Sequence, residues 1–134
     1  MASSPSAPAM PAGNVTGAAT PRDAIVAFLA AIKAEDLQAM GAIWGTANGP
    51  ARSQMDMNQL QERELTMICF LHHDTYTMLT DAPSTDGQRK YAVAMTYKKV
   101  SHTAQFSVGR ASDGRFYVFS VDNITDFQDF CGAK

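Results

Sequence analysis

One stretch of this sequence decides the fold: TPRDAIVAFLAAI, residues 20–32. Thr20 is a helix-capping residue type, Pro21 suits the first helical position, and Asp23 lies near the positive end of the helix dipole. The apolar residues that follow recur at i, i+3, i+4 and i+7 and therefore share one stripe: Ile25, Phe28, Leu29 and Ile32. The spacing predicts a helix that begins at Pro21 and turns this stripe toward the core.

Two further helices are predicted after the first. Asp36 caps a short one, whose apolar residues repeat the helical spacing: Leu37, Met40, Ile43 and Trp44. Glycine, asparagine and proline then break the pattern in residues 45–52. Residues 53–71 are predicted as the third helix, opened by Ser53, with one apolar side and one side facing water. The apolar side carries Met57, Leu60, Met67, Ile68 and Leu71, and the water-facing side carries Glu62, Arg63 and Glu64.

The second half of the chain changes from a helical period to a period of two. Apolar residues alternate or cluster at strand length in four segments: 75–79, 91–97, 104–108 and 116–121. Turn residues separate the segments at 86–87, 98–101 and 113–114, so neighbouring strands are expected to pair antiparallel. In the tail, Ile124, Phe127 and Phe130 predict a helical turn or an edge extension that packs back on the core.

The N-terminal segment and the composition limit the possible domain organisation and the possible partners. Residues 1–20 contain alanine, serine, proline and glycine and no charged side chain, so we predict a disordered tether followed by one domain over residues 21–134. The 134-residue chain has 46% hydrophobic and 18% charged residues and a net charge of −2, which argues against a nucleic-acid partner. A mean hydropathy of −0.16 and the lack of a long apolar run argue against a transmembrane segment.

Three segments of the sequence resemble the nuclear-transport-factor-2-like superfamily, which includes ketosteroid isomerase and polyketide-cyclase-like proteins. They are residues 21–29, residues 36–40, and the final hairpin formed by residues 106–110 and 113–118. The resemblance covers about residues 21–124 and implies an α+β fold: three N-terminal helices packed on a curved four-stranded antiparallel sheet, the cystatin-like cone. It points to a small member of the lipoprotein type.

The same resemblance implies a cavity between the first helix and the concave sheet. Aromatic residues and methionine on the strands, together with the only tryptophan, are the candidate pocket residues, with core packing as the alternative: Trp44, Tyr76, Tyr91, Met95, Tyr97, Phe106 and Phe119. Members that resemble ketosteroid isomerase carry a phenol on the inner face of the first helix and carboxylates deep in the cone. The inner stripe of this helix has neither, which argues against isomerase chemistry.

Metal and cofactor sites are not expected. In the triplet His72, His73 and Asp74, the two histidines are adjacent, so on a strand their side chains point to opposite faces and cannot both enter one pocket. His102 has no partner at the spacing of a metal-binding helix. The acidic tail residues Asp122, Asp126 and Asp129 lack a calcium-loop pattern. Nucleophile-elbow and phosphate-loop motifs are absent as well, so we predict no metal, no cofactor and no catalytic set.

The two cysteines connect the fold with the compartment. Cys69 lies near the end of the third predicted helix and Cys131 lies in the tail, so a disulfide forms if the tail crosses that helix. Two buried free thiols are the alternative. A disulfide persists only in an oxidising compartment, which would place the domain in the periplasm or at the cell surface, lipid-tethered in a full-length form. A cytoplasmic protein is the other possibility.

Three functions remain open from the sequence. The first is a non-enzymatic module of the bacterial cell envelope that binds a small apolar ligand or a protein in the cone. The second is a small lyase or isomerase that uses the cone with Asp122, Tyr97 or His102 as general acid or base. The third is a homodimer through the sheet, since Ala92, Ala94 and Thr96 give one strand a flat face. A filled cone favours the module, and a buried carboxylate of raised pKa beside an open cavity favours the enzyme.

Overall fold

The first helix forms where the sequence predicts it. The structure, a computed structural model, describes residues 16–132, and in it α1 spans Pro21–Ala34. Thr20 Oγ1 accepts a hydrogen bond from the Asp23 amide at 3.1 Å, and Glu35 ends the helix in the left-handed conformation with a φ of 54°. The four residues of the predicted stripe are wholly buried, so α1 is the central helix of the core.

Two more helices precede the sheet. Helix α2 spans Leu37–Ile43, and the Asp36 carboxylate caps it by accepting from the Ala39 amide at 3.1 Å. Helix α3 spans Met57–Leu71. Its predicted start at Ser53 is wrong, because Asp56 caps the helix through the Gln59 amide at 2.9 Å. Ser53 lies in a 3₁₀ turn, Ala51–Ser53, which follows two short paired strands, β1 at Gly45–Thr46 and β2 at Gly49–Pro50.

The main sheet has four antiparallel strands in sequence order. They contain the four predicted segments and extend most of them: β3 is Thr75–Pro83, β4 is Arg89–Tyr97, β5 is Val100–Arg110 and β6 is Phe116–Val121. Lys98 and Lys99, at φ angles of 49° and 70°, form the tight turn between β4 and β5. The chain is therefore an α+β protein with helices before an antiparallel sheet.

The number of helices differs from the prediction of three. A 3₁₀ turn, Ile124–Phe127, and a short fourth helix, α4 at Gln128–Gly132, follow the sheet. Phe127 and Phe130 are buried, which is the physical reason that the tail folds back rather than extending the sheet. Cys131 of α4 is joined to Cys69 of α3 by a disulfide, with the Cα atoms 4.6 Å apart.

The described part of the predicted tether, residues 16–20, belongs to the folded structure. The Gly17 amide donates to Ala42 O at 2.8 Å, and Ala18 exchanges backbone hydrogen bonds of 2.8 and 2.9 Å with Phe116. The predicted boundary at residue 20 therefore comes too late, because these backbone pairings and the burial of Ala18 in the core order the segment. Residues 1–15 of the predicted tether lie outside the described residues.

Side chains fill the space between α1 and the sheet. The rings of Phe28 and Phe106 meet edge to face with centroids 6.0 Å apart, and Met95 lies in the same cluster. All three side chains are 0% exposed, so no water-sized space touches them. The space between α1 and the sheet is a packed core.

Candidate functional site

The seven predicted pocket residues lie in several different surroundings. Tyr91, Met95 and Phe106 belong to the buried core. Phe119 lies elsewhere, against the backbone of Gly109, where a Cβ atom would come within 2.3 Å of its ring. Trp44 is half-buried, and its backbone forms a bridge with Val118 of β6.

Tyr97 and Tyr76 each contact a histidine ring. Tyr97 meets the ring of His72 at 4.2 Å between centroids, and Phe130 of α4 lies 5.8 Å from Tyr97. Tyr76 packs edge to face with His73 at 5.6 Å. The rings of Tyr97 and His72 form part of the packing between the sheet and the C-terminal segment.

The predicted acid and base residues also lie apart in the hydrogen-bond network. Asp122 accepts from Lys90 Nζ and from the hydroxyls of Ser107 and Ser120. His102 contacts both carboxylate oxygens of Asp129 at 2.9 Å. The hydrogen bond and charge of His102 hold the pKa of Asp129 below its usual value.

His72 and His73 are held separately. His72 Nδ1 contacts Ile68 O at 3.1 Å, and His73 Nδ1 contacts Leu71 O at 2.9 Å. Burial lowers the pKa of His73 and so favours the neutral form of this ring. Among residues 16–132 there is no cluster of three or more His, Cys, Asp or Glu side chains that could hold a metal ion.

A cavity does exist between α2 and α3, with a volume of about 480 Å³. We call it the α2–α3 groove and define it by its lining residues, which come from both helices and the 3₁₀ turn between them: Leu37, Gln38, Gly41, Arg52, Met57, Leu60, Gln61 and Glu64. Most of this wall is aliphatic, and the amides of Gln38 and Gln61 lie on exposed side chains. The size and the lining are those of a small-molecule pocket.

Glu64 is the unusual member of this wall. Its side chain is 1% exposed, and Oε2 is buried with no hydrogen-bond partner in the described part of the chain. Burial, reinforced by the negative charge of Asp36, raises the pKa of Glu64 to about 7. The groove therefore contains a carboxyl group that exists in both protonation states near neutral pH.

Gly41 explains how Glu64 fits between the helices. A Cβ atom at Gly41 would lie 3.0 Å from Glu64 Oε2, 3.2 Å from Arg52 Cβ and 3.4 Å from Leu60 Cδ2. Glycine costs helix stability in the middle of α2, but here it leaves the space that the carboxyl group occupies.

Glu64 does not lie on the water-facing side of the third helix, so the prediction for this residue is wrong. Glu62 and Arg63 are exposed as predicted, whereas Glu64 is buried together with Leu60, Ile68 and Leu71. These buried positions recur at i, i+4, i+8 and i+11, the spacing of a helix stripe. The signal was therefore present in the sequence, hidden by the usual exposure of glutamate.

Comparison of the chain with family models, with curated proteins and with solved structures finds no match. Within residues 16–132 the structure contains no helix that is both long enough and apolar enough to cross a membrane.

Proposed function

We propose that this domain is a non-enzymatic binding module that holds a small, largely apolar ligand in the α2–α3 groove. One observation carries the proposal: a buried carboxyl oxygen without a partner, on Glu64, in the wall of an otherwise mostly aliphatic cavity. An unsatisfied buried polar atom costs about 1–3 kcal/mol, and a ligand that supplies a hydrogen bond would recover it. The packed cone supports this location of the site over the one expected from the sequence.

We further propose that the module works in the bacterial cell envelope, as a member of the nuclear-transport-factor-2-like superfamily. The disulfide between Cys69 and Cys131 supports an oxidising compartment. The order of three helices before a four-stranded antiparallel sheet supports the family. Both proposals are independent of where the ligand binds.

Titration with n-hexanol, followed through backbone amide signals, tests ligand binding. We expect saturable shifts at Gly41 and Leu60, which line the groove. Gln61→Trp should close the groove and weaken binding at least about tenfold. Glu62→Trp is the matched control, because Glu62 is exposed on the same helix outside the groove lining. Shifts confined to other residues, or an equal effect of both variants, would refute the site.

A small lyase or isomerase is the second candidate, and the titration of Glu64 favours it. A carboxyl group with a pKa of about 7 suits general acid–base catalysis at neutral pH. Glu64 would then take the role that the sequence suggested for Asp122, Tyr97 or His102. Deuterium exchange at the carbon next to the carbonyl of small ketones, measured in D₂O, separates the candidates. Exchange that Glu64→Gln abolishes would favour the enzyme.

A homodimer through the outer face of the sheet is a separate proposal. Thr77, Ala94 and Thr103 are neighbours across β3, β4 and β5, and they make a flat row of small side chains. Light scattering of wild type and of Ala94→Arg tests it. A monomeric mass for the wild-type protein at high concentration would refute the dimer.

A further inference from the structure

The α2–α3 groove has a chemistry that selects among small ligands. We propose that it binds an organic ammonium ion, with the ammonium group against the Glu64 carboxylate and the apolar body along Leu37, Met57 and Leu60. The inference rests on the proposed binding function and names the class of its ligand.

The first argument is that Glu64 Oε2 has no hydrogen-bond partner among the described residues. As a carboxylate oxygen it is a buried acceptor without a donor. An ammonium group donates up to three hydrogen bonds and carries the opposite charge. One contact with an ammonium group would therefore give Oε2 a hydrogen-bond donor and compensate the buried negative charge.

The second argument is the charge around the carboxyl group. Asp36, at the start of α2, adds a second negative charge that acts on Glu64. Gln38 and Gln61, from the two helices, are neutral. Arg52, from the 3₁₀ turn, is the cationic residue of the wall and already has an interaction of its own. Two acidic groups close to one subsite attract a cation and disfavour a carboxylate or phosphate ligand.

The third argument is the shape of the remaining wall. Leu60 is buried, Leu37 is half-buried and Met57 is 65% exposed, so the aliphatic surface runs from the interior to the mouth of the groove. A thioether at the mouth adapts to bodies of different shape. A ligand with an apolar body longer than a single methyl group would cover this surface and bind more tightly with each CH₂ group that it buries.

Ammonium binding is linked to the protonation of Glu64. A cation binds the ionised carboxylate and displaces its proton, so affinity should follow the ionised fraction of Glu64. With a pKa of about 7, that fraction falls from about 0.9 near pH 8 to about 0.1 near pH 6. An alkylamine stays protonated over this range, as lysine does, so the carboxyl group alone produces the dependence.

Calorimetric titration of the whole chain with n-hexylammonium chloride and with n-hexanol tests the proposal. We expect hexylammonium to bind about tenfold more tightly near pH 8 than near pH 6. Glu64→Gln should abolish this binding and leave hexanol binding measurable, since an amide keeps the shape and removes the charge. Glu62→Gln removes an exposed charge from the same helix and should leave both titrations unchanged. Thermal unfolding of each variant confirms that it is folded.

The alternative outcomes separate the ligand class from the binding function. If hexanol binds in the groove and hexylammonium does not, the ammonium proposal is wrong and the binding module stands. If hexylammonium binds equally near pH 6 and near pH 8, or equally to Glu64→Gln, the proposal is also wrong. If neither compound binds, both the ligand class and the proposed function are overturned.

Discussion

Gly41 of α2 lies directly against Glu64 of α3: a single carbon atom added at Gly41 would come 3.0 Å from Glu64 Oε2. Gly41 therefore leaves the space between the two helices that the buried carboxyl group occupies. A residue without a side chain, and a buried carboxyl oxygen without a hydrogen-bond partner among the described residues, are each unfavourable in a helical protein. Because both features lower stability, we expect that substitutions which stabilise the α2–α3 groove will weaken its function.

The first prediction is that Glu64 makes the fold less stable as pH rises. Its pKa is about 7 in the folded protein against an ordinary value of 4.5, so between these values the folded state holds a proton that the unfolded state has released. The stability that protonated Glu64 gives the folded state is therefore lost as pH rises from about 4.5 to about 7, and it is not regained at higher pH. The loss is on the order of 3 kcal/mol. Urea unfolding of wild type and Glu64→Gln measures it as the difference between the two.

That difference isolates Glu64 from the other titrating groups. His73 acts in the opposite direction, because its lowered pKa favours the folded state above its unfolded pKa and destabilises it as pH falls below. It contributes equally to both proteins and cancels. Glu62→Gln should show no such pH dependence, since Glu62 is exposed. A stability gap between Glu64→Gln and wild type that does not grow with pH would mean that Glu64 is not buried as a perturbed acid.

The second prediction concerns the central helix. Phe28 is wholly buried and packs edge to face on Phe106 of β5, so Phe28→Ala should lower the free energy of unfolding by about 3–5 kcal/mol. Val26 is on the same helix but 40% exposed, and Val26→Ala should cost much less. An unchanged unfolding midpoint for Phe28→Ala would show that α1 does not pack in the core.

The fold was easier to predict than the site, for reasons that particular residues make clear. Ile25, Phe28, Leu29 and Ile32 are apolar and periodic, and burial is the usual fate of such residues. Glu64 lies on the buried stripe of another helix, α3, but is charged. Its residue type predicts exposure and its position in the stripe predicts burial, and the sequence prediction followed the residue type. The groove also depends on Gly41, which meets Glu64 only after α2 and α3 pack together, and on Arg52 from the turn between the two helices. Such a site has no local motif.

Other differences came from local backbone chemistry. Ser53 and Asp56 are both capping residue types, and only the structure shows that the extended backbone and amide contact belong to Asp56. Likewise, Ala18 is ordered by backbone pairing with Phe116, a contact across almost the whole domain that composition does not reveal.

The third prediction is that Gly17 anchors the segment before α1. Its φ is +69°, and a Cβ atom would lie 2.6 Å from Arg115 Cβ and 2.9 Å from the Tyr117 ring. Gly17→Ala should detach this segment and speed hydrogen exchange of the Phe116 amide, which donates to Ala18 O. Gly87→Ala is the control, because Gly87 has a φ of +74° with nothing within 4 Å of its Cβ position. It should show the cost of a positive φ alone, about 1–2 kcal/mol, without changing exchange at Phe116.

The last prediction is that the disulfide holds the C-terminal segment on α3. Cys69 and Cys131 are 62 positions apart, and closing a loop of that length stabilises a fold by about 4 kcal/mol in the chain-entropy model. Intact mass with and without reductant, followed by alkylation, detects the bond. Two freely alkylated thiols in air-exposed, unreduced protein would remove both the bond and the argument for export.

If the bond is present, Cys69→Ser with Cys131→Ser should lower stability and speed hydrogen exchange first in α4, because Phe127 and Phe130 then hold that segment by packing alone. Glu64 lies on the same helix as Cys69, but it is in the groove and away from the disulfide. Ammonium binding should therefore survive in this variant.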